Sequence, residues 1–63
     1  MKVKFNHKIK NKTLTPGKEY QVRSQGIGVY ILDDNNYTCN IMFKNCHQLD
    51  GGNWEVVDEG AME

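Results

Sequence analysis

A chain of 63 residues with 38% apolar and 25% charged side chains has room for one small domain, because at this length only about 60% of the unfolded chain's surface is buried on folding. Eight Lys or Arg balance eight Asp or Glu, which argues against a duplex-coating basic protein, and no apolar run approaches the roughly 20 residues of a membrane span. The neutral total hides a gradient, since residues 1–23 carry seven Lys or Arg and one Glu whereas residues 24–63 carry Lys44 against seven Asp or Glu. That division suits a protein partner or internal charge pairing better than a nucleic-acid duplex.

In chain order, Lys2 and Lys4 alternate with Val3 and Phe5, the period of a half-buried strand whose charged face guards a sheet edge. Residues 6–15 hold His7, Lys8, Lys10 and Lys12 without a period and read as a long loop, with Ile9 and Leu14 as anchors on the core. Pro16-Gly17 signals a type II turn, because Pro presets the first central position and Gly supplies positive φ at the second. It delivers the chain into a strand over residues 18–23 with Tyr20 and Val22 on one face. Ser24-Gln-Gly-Ile-Gly28 reads as a short connector whose glycines mark a bulge or a close backbone approach. Val29 and Ile31 then point one way, Tyr30 and Leu32 the other.

Asp33-Asp-Asn-Asn36 is the clearest hairpin turn, because Asp and Asn tolerate left-handed backbone and bond turn amides with their own side chains. On the return strand Tyr37, Cys39, Ile41 and Phe43 share one face, with Met42 an apolar exception on the other. Residues 45–53 read as loop with a helical turn near Cys46 to Leu49, and a last strand begins at Trp54. Five short strands and no useful helix predict an all-β fold: a small five-stranded SH3-like, partly open barrel with a long basic N-terminal loop. Residues 1–59 form the single domain, and residues 60–63 a frayed tail.

Candidate chemistry is sparse. Cys39, Cys46, His47 and His7 are the residue types zinc prefers, but there is no Cys-x-x-Cys pair, and a strand cysteine is more often a small core residue. A Cys46-His47 nucleophile would need side chains that adjacent loop residues rarely orient together. Gly26-Ile-Gly28 lacks the third glycine and the helix of a phosphate loop. The Asp33 to Asn36 run lacks the spaced ligands and terminal Glu of a calcium loop. Asp50 and Glu55 are acid and base only by coincidence of folding. The expectation is a protein that is not an enzyme and holds no metal or cofactor. Trp54 reads as core first and as an interface anchor second. Lys2 and Lys4 leave no apolar leader at the start of the chain, so a cytoplasmic setting with free thiols is expected, a Cys39–Cys46 bridge staying open for an oxidising one.

Leu14-Thr-Pro-Gly-Lys-Glu-Tyr-Gln-Val22, Val29-Tyr-Ile-Leu-Asp-Asp34 and the closing Trp54-Glu-Val-Val57 together resemble the small SH3-like proteins of bacteriophage and prophage genomes. The likeness spans residues 14–57 and departs between Tyr37 and Asn53, where Tyr37-Thr-Cys-Asn-Ile-Met-Phe43 and a Cys-His loop replace the family's usual element. The resemblance implies a phage accessory protein that binds and modulates or inhibits a host protein in the bacterial cytoplasm. Asp33, Asp34, Asp50 and Glu55 are the candidate partner-binding acids, able to mimic phosphates. The alternative is a single-stranded nucleic-acid binder using Lys8, Lys10 and Lys12 with Tyr30 and Tyr37 as stacking platforms. A monomer or a weak homodimer through an uncovered strand edge is expected.

Overall fold

The computed structural model describes residues 1–60, so the tail expected from residue 60 lies, apart from Gly60, outside the described residues. Among the described residues six short strands form two antiparallel sheets: β1 (Lys2–Lys4), β2 (Tyr20–Gln21) and β6 (Glu55–Asp58) in the order β2-β1-β6, and β3 (Arg23–Gln25), β4 (Gly28–Leu32) and β5 (Thr38–Ile41) in the order β3-β4-β5. One 3-10 turn, His47–Leu49, is the helical turn expected there. The fold is all-β. It differs from a five-stranded barrel in that the strand expected over residues 18–23 breaks at Val22 into β2 and β3, which belong to different sheets. Val22 is buried at the crossing and donates its N–H to the Met1 carbonyl at 2.8 Å. Sheets that share a strand in this way turn a corner around one core.

The lysines of β1 do not guard an edge, because β1 is the central strand of its sheet. Lys2 lies opposite Asp58 and Lys4 opposite Glu55. The basic and acidic halves of the chain are thereby laid side by side, since opposite charges across a strand pair favour that register. Pro16-Gly17 turns as expected: Gly17 has φ +83°, and Lys18 N–H reaches the Thr15 carbonyl at 3.2 Å. Residues 24–28 are a tight hairpin rather than a connector. Gly26, φ +62°, and Ile27 form a two-residue turn between β3 and β4, with Gly at the first central position as a type II′ turn requires. Neither Gly26 nor Gly28 has another part of the chain against it.

One cluster forms the core: Val3, Phe5, Leu14, Tyr20, Val22, Ile31, Ile41, Cys46, Leu49 and Trp54, with Ile9, Val29, Cys39 and Phe43 packed against it. Tyr37, expected with the inward residues, is 70% exposed because it lies in the turn before β5 starts. Trp54 is core, and Phe5 and Tyr20 both meet it edge-on, with ring centroids 5.3 and 5.8 Å away. Its indole N–H finds no acceptor among the described residues, a cost of about 1–3 kcal/mol that burying so large a ring offsets.

Candidate functional site

Two polar fasteners end the aromatic row. At one end, the N–H of Asp34 reaches the Thr13 carbonyl, and its carboxylate accepts from Thr15 Oγ1 (2.7 Å), Lys18 Nζ (2.7 Å) and the Tyr20 hydroxyl (2.8 Å). The same hydroxyl accepts the Thr15 N–H at 2.8 Å. The hydrogen bonds from Lys18 and then Thr15 hold the Asp34 carboxyl below its ordinary range, while burial pushes the Tyr20 phenol up. The bond to Asp34 raises Lys18 in turn. At the other end, His7 packs edge-on to Phe5, sets Nε2 3.2 Å from the Leu49 carbonyl, and lies so close to Gly52 that a β-carbon there would collide with the ring. Asp50 accepts the Lys10 N–H at 2.9 Å, and Glu55 accepts from the Asn6 amide.

Of the four candidate acids, then, Asp34 ties residues 13–20 to the β4–β5 turn, and Asp50 and Glu55 tie residues 6–10 down. Asp33 organises its own turn, accepting the N–H groups of Asn35 (2.9 Å) and Tyr37 (3.0 Å), while Asn36 takes φ +64°. Lys8, Lys10 and Lys12 are exposed along the N-terminal loop, with Asp50 beside Lys10; Tyr30 is half-buried on β4, opposite Arg23 and Asn40. Cys46 is buried and turned into the core, its thiol 3.2 Å from Gln48 Oε1, whereas the neighbouring His47 is exposed. Both cysteines are free, and burial first, then Cys46 and Asp33 nearby, pushes the Cys39 thiol up. Among the described residues no three His, Cys, Asp or Glu side chains converge as a metal site, and no helix is long and apolar enough to cross a membrane.

The surface that the residue patterns did not single out is the outer face of the β3-β4-β5 sheet. Alternation puts Tyr30 and Leu32 on that face, with Asn40 opposite Tyr30 and Thr38 opposite Leu32, and Met42 follows directly after the end of β5. Leu32 and Met42 are exposed, Met42 by 62%, and Ile27 stands fully exposed at the β3–β4 tip. Beside Leu32 a cleft of about 180 Å³ opens, lined in part by Lys18, Gln21, Arg23, Asp33 and Asn36. Small-molecule pockets usually measure about 300–1,000 Å³, so this cleft fits one side chain. The signal was present: Met42 broke the polar alternation, and Ile27 is an aliphatic residue between two turn glycines. No protein-family model, curated protein or solved structure matches the chain.

Proposed function

We propose that this chain is a non-enzymatic accessory module that binds a protein partner through the outer face of the β3-β4-β5 sheet. The observation that carries the reading is that Leu32 and Met42 stand exposed on and beside the β3-β4-β5 sheet, with Ile27 exposed at its β3–β4 tip, since burial of exposed apolar surface is what a protein partner gains from. The adjoining cleft, sized for a side chain, suits a protein surface better than a metabolite. Two sheets around one core are compatible with an SH3-like, partly open barrel. The resemblance to phage and prophage proteins makes the partner a host protein in the bacterial cytoplasm, whose activity is modulated or blocked by occupation of its surface. Asp33, which lines the cleft, and Glu55, which opens an exposed edge strand, are the acidic contacts in this reading. Asp34 and Asp50 serve as fasteners.

The competing reading is a single-stranded nucleic-acid binder, favoured by the exposed Lys8, Lys10 and Lys12 and by the exposed ring of Tyr37. Acidic groups beside the loop weigh against it, because Asp50 lies on Lys10 and Glu55 on Asn6. Affinity capture from bacterial lysate separates the two. The wild-type protein is expected to retain a discrete set of host proteins, and a Leu32→Lys, Met42→Lys variant to lose them by about tenfold or more. Retention of nucleic acid alone, falling steeply with salt, would sink the protein-partner reading.

A further inference from the structure

We infer that the free edge of β6 is a docking strand for an extended, lysine-bearing segment of a partner protein, added antiparallel to β6. The inference deepens the partner-binding reading by giving the chemistry of one contact. It begins with the backbone. β6 closes the β2-β1-β6 sheet and is laddered only to β1, and among the described residues Glu55 to Asp58 make no backbone hydrogen bond outside that ladder. An outermost strand therefore presents a row of amide and carbonyl groups that another strand can complete. All four β6 residues are exposed, including Val56 (43%) and Val57 (38%). Two adjacent β-branched side chains on an uncovered edge offer apolar contact to both faces of an incoming strand.

Charge selects the occupant. Glu55, Asp58 and Glu59 flank the two valines, and the Glu55 carboxylate is bonded by the neutral Asn6 amide. If two copies paired through β6 antiparallel about its centre, Glu55 would stand opposite Asp58 in both halves, and like charges directly opposed are destabilising. The inner edge of the same strand shows what it accepts: β1, Lys2-Val3-Lys4, lies with Lys2 opposite Asp58 and Lys4 opposite Glu55. A second strand of that composition meets the same carboxylates from the other side. Edge β5 is equally long but carries no charge between Thr38 and Ile41. The register also shifts between Lys2 and Val3, leaving Val57 as an extra residue on β6. Such a bulge twists the edge and blunts it against the rim of another rigid sheet.

The test is an NMR titration of the isotope-labelled protein with two short synthetic peptides, one alternating Lys with Val and one alternating Glu with Val. The lysine peptide is expected to shift the amides of residues 55–58 and to slow their hydrogen exchange, with affinity falling as salt rises; the glutamate peptide is expected to do neither. A Glu55→Gln, Asp58→Asn, Glu59→Gln variant should bind the lysine peptide about tenfold more weakly. Because the decisive shifts are read on the wild-type protein, the proposal stays testable if that variant folds poorly. Equal binding of both peptides, shifts confined to the β3-β4-β5 face, or a wild-type dimer whose β6 amides are already protected would each overturn it. If the peptide fails while capture that depends on Leu32 and Met42 persists, the edge proposal alone falls.

Discussion

The two sheets have the same number of strands and are built in opposite ways. The β3-β4-β5 sheet is a meander made by one stretch, residues 23–41, with two short turns, whereas the β2-β1-β6 sheet joins the beginning of the chain, its middle and its far end. Local pairing is favoured by turn residues that act at once, while distant pairing must first bear the entropy of closing long loops. The second kind therefore depends on what holds the loops, and here the holders are identifiable: the aromatic row of Phe5, Trp54 and Tyr20, with Asp34 at one end and His7 at the other.

The largest test of that difference removes the row. A domain of this size has a total stability of about 3–9 kcal/mol, and Phe5→Ala is expected to cost about 3–5 kcal/mol, leaving the protein largely unfolded in urea titrations begun near room temperature. If hydrogen exchange in that variant showed residues 28–32 and 38–41 still protected while residues 2–4 and 55–58 exchanged freely, the two sheets would be separable units. A smaller effect is expected from Asp34→Ala, which removes the acceptor shared by Thr15, Lys18 and Tyr20. A loss of about 1–2 kcal/mol at neutral pH is expected.

The sign of the pH dependence follows from Asp34 being held below its ordinary value. Its contribution is complete above the unfolded-state value, about 3.9, and disappears as pH falls through the lower folded-state value. Wild-type stability should thus drop more steeply than that of Asp34→Ala below about pH 4; parallel acid-unfolding curves would show that the carboxylate is not a fastener. Smallest is Asn36→Gly in the β4–β5 turn, where φ is +64°. Relief of the left-handed backbone should change stability by no more than about 1 kcal/mol in either direction, with the effect confined to the opening of the meander. A larger loss would mean that the Asn36 side chain is needed there.

The same contrast explains what could be read from residues alone. The meander's second turn was legible because Asp33 and Asn36 announce it, and the inward set Val29, Ile31, Cys39 and Ile41 follows period two. Tyr37 fell outside that rule because it sits on the turn side of β5. The Gly26-Ile27 hairpin was missed because an exposed isoleucine disguises a turn that its glycine makes possible. The central place of β1 was hidden, since alternating lysines look like an edge guard until a distant acidic strand is known to lie opposite them. The candidate acids were visible as charges, but Asp34, Asp50 and Glu55 act on partners 19, 40 and 49 residues away. No local pattern records such pairings. The exposed outer face left its trace in Met42 and Ile27.

Val22 has a wider consequence. It donates its N–H to Met1, which precedes the first strand, and its side chain is shut inside the core at the place where the chain leaves one sheet for the other. Melting either half pulls at this residue in the other, so the corner resists separation of the two sheets, and a partner gripping one side would brace the whole.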